Sequence, residues 1–366
     1  MFGFVLTSAV TLMHVYVFWR ASSVPFLKRH VSKKLIIGSG IALWMVFLLG
    51  RILGHGSLGP FPMMFEFLGM NWMAAVFLVS VSFLAIDLIT AFGFLLSRFV
   101  PMLRSIALLL GMALSLIALV QGLRPPVVQN YEVQLSGLPH EMDGTVIIAM
   151  SDLHLGSLLG KQWLEARVEQ VQAEKPDIVV LLGDIFEGHG PPREDLFQVL
   201  RRISAPMGVW FVLGNHEYHG RHNADMSRIK YDGLKVLNNS WTEVRPGLVL
   251  AGVEDLTSNH RSGKGGDPIL KTLTDRPSGA TVLLSHTPWQ ADKAASAGTG
   301  LMLSGHTHGG QIWPFSYLVQ RIYPLLGGRY KVNGMTVIVC RGTGTWGPRM
   351  RLWRPSEILR VTLHTK

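Results

Sequence analysis

Cysteine and charged residues are the scarce components of this 366-residue sequence. Its single cysteine, Cys340, excludes an intrachain disulfide framework and any cluster of thiolate ligands. Charged residues make up only 16% of the chain, whereas soluble globular proteins carry about 25%. Hydrophobic residues reach 48% at the same time. This composition excludes an ordinary, wholly soluble protein and indicates that part of the chain lies in lipid.

Four long apolar runs carry the hydrophobic excess. They cover residues 1–19, 35–53, 72–97 and 105–121. Each run reaches or approaches the roughly 20 residues that a helix needs to cross the hydrocarbon core of a bilayer. We therefore predict a transmembrane region of four helices over residues 1–123, followed by a separate domain over residues 124–366.

The charge of the loops between these runs predicts their orientation. Basic residues cluster in the loops after the first and third runs: Arg20, Lys28, Arg29, Lys33, Lys34, Arg98 and Arg104. The loop over residues 54–71 has no Lys or Arg. Because short basic loops stay in the cytoplasm, we predict that both termini and the whole segment after Arg124 are extracytoplasmic. The expected protein crosses the membrane several times.

More than half of the net charge of +10 has the same origin. Eight Lys or Arg and two acids precede Arg124, so a charge of +6 lies beside the apolar runs. Topology signals and anionic lipid headgroups explain basic residues at such positions. The basic balance is therefore poor support for nucleic-acid binding, and no nucleic-acid partner is predicted.

One acid, Asp87, falls near the middle of the third apolar run. Acids inside a membrane are functional candidates by default. The simpler interpretation, which we favour, is a carboxylate that is hydrogen-bonded to Ser or Thr between packed helices.

Beyond Arg124-Pro125-Pro126, short β-rich bursts alternate with amphipathic stretches. Seven bursts have the composition of buried strands: residues 145–150, 178–182, 209–213, 249–251, 282–284, 301–303 and 337–339. Residues 163–173 and 195–203 have the pattern of helices. Because strands and helices alternate, we predict βαβ units and hence a sheet that is covered by helices on both faces.

Polar side chains directly follow five of these strands. The motifs are Asp152-Leu153-His154, Gly183-Asp184, Gly214-Asn215-His216-Glu217, Ser285-His286 and Gly305-His306-Thr307-His308. The carboxyl ends of strands are where α/β sheets form ligand sites, and a spacing of two directs paired side chains to one face. A single histidine there is more often a turn or core residue. Five such sites, with oxygen and imidazole ligands but no thiolate, predict a site for divalent first-row metals.

These five motifs resemble the complete signature of the calcineurin-like metallophosphoesterase superfamily over about residues 140–310. With Gly309-Gly310-Gln311 and residues 341–348, the chain is similar to the bacterial membrane-associated YkuE/YaeI-like branch, which implies a location in the bacterial cell or inner membrane and a catalytic domain on its extracytoplasmic side. Its four-span region resembles that of an animal transmembrane relative. The resemblance implies a four-layer αββα sandwich, preceded by an all-α bundle of four transmembrane helices. It also implies a metal-dependent phosphoric ester hydrolase of the phosphodiesterase or pyrophosphatase type.

The same resemblance implies a dinuclear centre of two divalent ions, with Mn²⁺ favoured and Fe, Zn or Mg as alternatives. The implied ligands of the first ion are Asp152, His154, Asp184 and His308. Those of the second are Asp184, Asn215, His286 and His306, so that Asp184 bridges. Such a pair of ions activates a shared hydroxide for in-line attack on phosphorus. His216 is implied as the catalytic histidine that protonates the leaving group, and Glu217 as a residue that orients its neighbours.

Three further residues are candidates for substrate binding. His219 follows the Asn-His motif closely, in a region where loops commonly carry binding residues. Arg341 and Arg349 flank the glycine-rich stretch 342–347, and arginine suits bidentate phosphate binding. Their placement near the metals rests on the resemblance.

Residues 312–326 are unusually apolar and aromatic for a segment that leaves a phosphate site. They form either an ordinary core element or an exposed patch beside a slot for an acyl or isoprenoid chain. The second interpretation predicts a phosphodiester or pyrophosphate of a membrane lipid or lipid-linked substrate, which a membrane-anchored site meets at high effective concentration. The alternatives are a broad-specificity phosphodiesterase on soluble substrates and a non-catalytic membrane sensor of a phosphorylated ligand.

Overall fold

The computed structural model describes residues 2–54, 59–187, 193–218, 234–262 and 266–366. Contacts divide the chain into two compact units. The first consists of Met1–Leu123 with Gly347–Trp353, and the second of Arg124–Trp346 with Arg354–Lys366.

The first unit is built from helices, with Gly347–Trp353 packed on the last of them. The helices are α1 Phe2–Ala21, α2 Pro25–His30, α3 Lys33–Leu53, α4 Pro60–Ile89 and α5 Val100–Leu123. All except α2 are long and apolar enough to cross a membrane, which confirms the predicted four spans. Their exposed side chains include Phe4, Leu12, Ile52 and Leu109, as expected of surfaces that face lipid tails.

The boundaries of the third span differ from the prediction. Helix α4 begins at Pro60, inside the expected loop, and ends at Ile89, before the end of the apolar run. Left-handed φ angles at Ala91, Phe92 and Gly93 break the helix there. Asp87 therefore lies in the last turn of α4 and not at its middle. Apolar composition marks contact with lipid or core, and it does not by itself require a helix.

The second unit contains twelve strands in its described part. They are β1 Val127–Leu135, β2 Val146–Met150, β3 Ile178–Leu181, β4 Val209–Phe211, β5 Leu234–Val236, β6 Ser240–Arg245, β7 Leu248–Gly252, β8 Ala280–Leu284, β9 Leu301–Ser304, β10 Gly328–Val332, β11 Met335–Val339 and β12 Glu357–Thr365. One six-stranded sheet has the order β1-β12-β2-β3-β4-β5, and the other has the order β10-β11-β9-β8-β7-β6. Pairing is parallel except between β12 and β2, β10 and β11, and β6 and β7.

The helices of this unit are α6 Lys161–Ala173, α7 Glu194–Leu200, α8 Asn215–Tyr218, α9 Leu256–Ser262, α10 Pro268–Leu273, α11 Ala291–Ser296 and α12 Ser316–Ile322. Helices α6 and α7 cover the outer face of one sheet, and α10 and α11 cover the outer face of the other. Ile148 of β2 packs with Leu164 of α6 on one side. Leu283 of β8 packs with Ile269 of α10 on the other.

The inner faces of the two sheets share one apolar core. Ile147 and Val180 of the first sheet pack there with Leu250 and Val282 of the second. The layers are therefore helix, sheet, sheet and helix, which confirms the αββα sandwich. The seven predicted strands are all present, but the expectation of one sheet with helices on both faces is wrong. A strand that is buried on both faces has the same continuous apolar sequence whether a helix or a sheet covers it.

Candidate metal centre

The polar motifs meet where parallel strands of both sheets end. Asp152, Asp184 and Asn215 follow β2, β3 and β4 of the first sheet. His286 follows β8, and the histidine pair of 306 and 308 follows β9 of the second sheet. The sandwich thus brings motifs that lie up to 156 residues apart to one edge.

The backbone at this edge is left-handed at five residues that are not glycine. The φ angles are +55° at Asp152, +46° at His154, +51° at Asp184, +70° at His306 and +50° at His308. Each such conformation costs on the order of 1–3 kcal/mol and persists only where the surrounding fold imposes it. The period-two argument assumed extended strands and is wrong in that respect, because both pairs lie in turns beyond the strand ends.

Glycine is required at two positions behind these turns. A Cβ atom at Gly214 would lie 2.2 Å from the Oδ1 atom of Asp184. A Cβ atom at Gly305 would lie 1.7 Å from the Oγ atom of Ser151, whose hydroxyl donates to Asp152. The two carboxylates therefore reach their positions only because no side chain competes for that space.

Asp152, His154 and His308 form a first group of buried ligand atoms within 4.8 Å of one another. The Nε2 atom of His308 lies 3.1 Å from the Nε2 atom of His154 and 3.4 Å from the Oδ1 atom of Asp152. The Oδ2 atom of Asp184 lies 3.9 Å from the Nε2 atom of His154.

A second group surrounds the Nε2 atom of His286. The Oδ2 atom of Asp184 and the Oδ1 atom of Asn215 each lie 3.2 Å from it, and the Nδ1 atom of His306 lies 3.1 Å from it. The Nδ1 atom of His286 is 2.7 Å from the carbonyl oxygen of Leu182. Because a carbonyl oxygen only accepts, Nδ1 carries a proton, and Nε2 is the nitrogen that is placed to bind a metal.

These separations fit a divalent metal centre. Ligands around an ion with bonds of about 2.0–2.1 Å lie about 3.0–3.4 Å from one another. Neighbouring ligand atoms within each group are 3.1–3.4 Å apart, and the donors are oxygen and imidazole nitrogen. The Oδ2 atom of Asp184 faces both groups.

The electrostatics of the cluster also favour bound positive charge. Burial acts to raise the pKa of Asp184, but the surrounding imidazoles, His286 foremost, hold that pKa well below its usual range. Burial acts to lower the pKa of His286, yet the carboxylate of Asp184 raises it well above its usual value. Burial and the charge of His286 together lower the pKa of His306 to about 3. The carboxylates thus stabilise cationic partners, a role that divalent ions can take over.

Two residues that sequence analysis overlooked hold the outer nitrogens of candidate ligands. The Oε2 atom of Glu187 lies 3.0 Å from the Nδ1 atom of His154 and, against the effect of burial, raises the pKa of that ring to about 9. The Oη atom of Tyr323 lies 2.8 Å from the Nε2 atom of His306. Such partners orient metal-binding imidazoles. Glu187 was detectable from its position three residues after Asp184, whereas Tyr323 was counted with the apolar segment.

Glu217 organises the turns beneath the cluster. Its Oε2 atom accepts hydrogen bonds from the backbone N–H groups of Gly214 at 2.7 Å and Asp184 at 2.9 Å. Its Oε1 atom accepts from Ile185 at 2.8 Å and Phe186 at 3.3 Å. Burial and the nearby charge of Asp184 raise the pKa of Glu217 to about 7. This carboxylate therefore joins the ends of β3 and β4.

Replacing Glu217 by glutamine is expected to weaken metal binding about 10- to 100-fold, as loss of a group that supports metal ligands typically does. The amide would turn an N–H group toward backbone N–H donors, and Asp184 would lose its fixed position. Metal titration of the purified protein measures the effect. Glu243→Gln is the matched control, because Glu243 accepts one N–H bond from Gly247 on an exposed turn. Equal metal affinity in both variants would contradict this role.

His216 lies beside the cluster with a defined ring orientation. Its backbone N–H group donates to the Oδ1 atom of Asp184 at 2.8 Å, and its Nδ1 atom is 2.8 Å from the carbonyl oxygen of Glu187. Its Nδ1 atom therefore donates to that carbonyl oxygen, which fixes the orientation of the ring. The ring centroids of His154 and Trp346 lie 4.6 Å and 6.3 Å away.

The three candidate substrate residues have different surroundings. His219 lies outside the described residues. Arg341 forms an ion pair with Glu357 at 2.7 Å, and its side-chain stem lies beside Gly309, next to His308. Arg349 belongs to the first unit, where its carbonyl group lies against Gly122 of α5. Substrate binding by these residues stays a prediction.

Comparison with known proteins identifies the family to which this chain is similar. Residues 145–310 match the family model of the calcineurin-like phosphoesterases. The chain is 32% identical over 282 residues to the transmembrane protein with metallophosphoesterase domain of Bos taurus, covering 71% of this chain and 62% of that protein. It is 32% identical over 244 residues to an uncharacterized metallophosphoesterase of Aquifex aeolicus, a match that covers 65% of this chain and 92% of that protein. It is 30% identical over 256 residues to the uncharacterized metallophosphoesterase YkuE of Bacillus subtilis, a match that covers 66% of this chain and 87% of that protein.

The fold and the cluster define a metallophosphoesterase domain. The chain belongs to the calcineurin-like metallophosphoesterase family. Its four candidate spans and its similarity to a transmembrane relative make it a membrane protein. It spans 62% of the length of the bovine and zebrafish relatives.

Proposed function

We propose that this protein is a membrane-anchored, dimetal phosphoesterase that hydrolyses a phosphodiester or pyrophosphate of a lipid or lipid-linked substrate. Family membership and the ligand cluster support the phosphoester chemistry. One observation favours a lipid substrate: an exposed apolar patch borders the cluster.

The apolar patch consists of Trp313, Phe315, Tyr317, Leu318 and Ile322. Tyr317, Leu318 and Ile322 on α12 are each 62% exposed. Of the two interpretations of residues 312–326, exposure favours the surface patch over an ordinary core element. Contiguous exposed apolar side chains commonly mark a binding surface for a protein, ligand or membrane.

The patch is joined to the cluster through Tyr323. This residue follows Ile322 directly, and its hydroxyl group lies 2.8 Å from the Nε2 atom of His306. Its ring stacks on Trp289 with centroids 5.4 Å apart and planes 17° apart. A substrate whose acyl or isoprenoid chain lies on the patch therefore has its phosphate group beside the candidate ligands.

The residues of the cluster have distinct roles in this proposal. The ions, when bound, polarise the phosphoryl group and lower the pKa of bound water. They would be held by Asp152, His154, Asp184, Asn215, His286, His306 and His308. Asn215 contributes a neutral oxygen, which limits negative charge where an anion must bind. Protonated His216 donates its Nε2 proton to the leaving oxygen, while the carbonyl group of Glu187 fixes its ring.

We also propose that the phosphoesterase unit is extracytoplasmic. The two basic loops flank helix ends that meet, since Arg20 and Arg104 both bind Asp87. Both basic loops therefore lie at the same end of the bundle. Because positively charged loops stay in the cytoplasm, this end is the cytoplasmic one. A reporter that is fused after His364 tests this arrangement, and a cytoplasmic signal would overturn it.

Replacing Leu318 and Ile322 by serine is expected to lower turnover of detergent-solubilised phospholipid about tenfold or more. In the proposed complex the acyl chain covers both side chains, and burying an aliphatic side chain contributes about 1.5–3 kcal/mol to binding. Turnover of soluble bis(p-nitrophenyl) phosphate should stay unchanged. Leu270→Ser is the matched control, since Leu270 is an exposed aliphatic residue on α10 of the same unit, with 44% exposure.

Two results would favour the alternative functions. Turnover that is indifferent to the acyl chain, with soluble nucleotides hydrolysed equally well, would indicate a broad-specificity phosphodiesterase. No turnover of any phosphoester despite full metal loading would indicate a membrane sensor of a phosphorylated ligand.

A further inference from the structure

One end of the helical bundle carries far more positive than negative charge. The two loops at this end and the adjoining helix ends contain seven basic residues: Arg20, Lys28, Arg29, Lys33, Lys34, Arg98 and Arg104. The acids among residues 1–123 are Glu66 and Asp87. Asp87 is engaged by Arg20 at 2.6 Å and by Arg104 at 3.2 Å, so its charge is already shared by two arginines.

A groove of about 450 Å³ opens at this end, lined by Ser23, Pro25, Lys28, Arg29 and Pro101. It lies between α2 and the first turn of α5. Lys28 and Arg29 are exposed there. In the part of the chain that the structure describes, neither forms a salt bridge with an acid.

The wall of the groove at Ser23 is held in place by the buried network behind it. The Oγ atom of Ser23 donates to the carbonyl oxygen of Arg20 at 2.6 Å and accepts from the Nη1 atom of Arg104 at 3.2 Å. The same arginine donates to Asp87 through its Nη2 atom. The groove thus combines a fixed polar wall with two cationic side chains, an arrangement suited to phosphate oxygens.

We propose that this groove binds the phosphate headgroup of an anionic phospholipid of the surrounding bilayer. The groove belongs to the ends of membrane-spanning helices, where headgroups lie. Phe26 and Phe99, 68% and 49% exposed, flank its prolines and offer apolar surface to the attached acyl chains. A headgroup there supplies the negative charge that the bundle lacks and joins α2 to α5.

Native mass spectrometry of the full-length protein in mild detergent tests this proposal. The protein is titrated with dioleoyl phosphatidylglycerol, with dioleoyl phosphatidylcholine and with inorganic phosphate alone. We expect one retained phosphatidylglycerol and a preference of about tenfold or more over phosphatidylcholine, because basic residues at the surface attract anionic headgroups strongly. The Lys28→Gln/Arg29→Gln variant should lose that preference.

Lys33→Gln/Lys34→Gln is the matched control, with the same loss of charge outside the lining of the groove. It should keep the preference within about twofold, with a gel-filtration profile like that of the other proteins. Equal loss of the phosphatidylglycerol preference in both double variants would contradict a specific site and would indicate a diffuse attraction of the basic loops to anionic lipid. Absence of a preference in the natural sequence would overturn the proposal. Displacement of the lipid by equimolar inorganic phosphate would assign a free-phosphate site instead.

Discussion

Replacing Asp184 by alanine is expected to lower kcat/KM for bis(p-nitrophenyl) phosphate with Mn²⁺ by at least about 10³-fold, equivalent to about 4 kcal/mol of transition-state stabilisation. The Oδ2 atom of Asp184 faces both groups of candidate ligands, and its Oδ1 atom accepts from the backbone of His216. One substitution therefore removes a ligand from both groups and the support of the proposed catalytic histidine. Steady-state kinetics and metal content of the same preparation measure the two effects.

Asp195→Ala is the control for this substitution, because Asp195 pairs with Arg193 at the surface of the same unit. It should keep both activity and metal content. Asp184→Asn serves as a second variant that preserves size. Activity within about tenfold of the natural sequence in both Asp184 variants, at full metal content, would contradict the proposed role.

Replacing Asp87 by alanine is expected to destabilise the membrane unit by about 3–5 kcal/mol, the usual cost of removing one partner from a buried ion pair. Asp87 is fully buried. Its carboxylate accepts a hydrogen bond from the hydroxyl group of Tyr16 at 2.6 Å and forms ion pairs with Arg20 at 2.6 Å and Arg104 at 3.2 Å. Its loss leaves two guanidinium groups without their shared counter-charge. The unfolding temperature of the full-length protein in detergent should fall on the order of 10 °C.

A graded series separates this ion pair from general damage to packing. Tyr16→Phe removes one hydrogen bond and should cost only about 0.5–1.5 kcal/mol. The triple variant Asp87→Leu, Arg20→Met, Arg104→Met should recover much of the lost stability, because it removes all three charges together. An unchanged unfolding temperature in Asp87→Ala would contradict the structural role. Lost hydrolysis at unchanged stability would instead assign Asp87 a function.

Asp87 also shows how a local pattern can mislead. Sequence analysis placed it in the middle of a span with Ser or Thr partners, whereas the structure places it in the last turn of α4 with two arginines and a tyrosine. Arg20 and Arg104 are 67 and 17 residues away along the chain. Their meeting depends on how three helices pack, which no periodicity encodes.

The strands likewise show which features a local sequence pattern identifies and which it misses. The seven strands that sequence analysis found are buried on both faces, so their β-branched and aliphatic runs identify them. The strands that it missed include the edge strand β6, where burial alternates, and β12, which pairs in parallel with β1 over 200 residues away. The face that each strand turns toward the other sheet follows from tertiary packing, since an apolar run satisfies either neighbour.

Residue chemistry along the chain was enough to predict four spans and a metal-binding edge, and the family resemblance then implied which residues of that edge are ligands. Imidazole, carboxylate and amide groups after buried strands have few other uses in that combination. Residue patterns did not decide that two sheets face each other, which the family resemblance implied and the structure shows. Only the tertiary structure decided that Glu187 and Tyr323 support the cluster and that the apolar patch adjoins it. Those facts depend on distances between residues far apart in sequence, which short-range patterns do not contain.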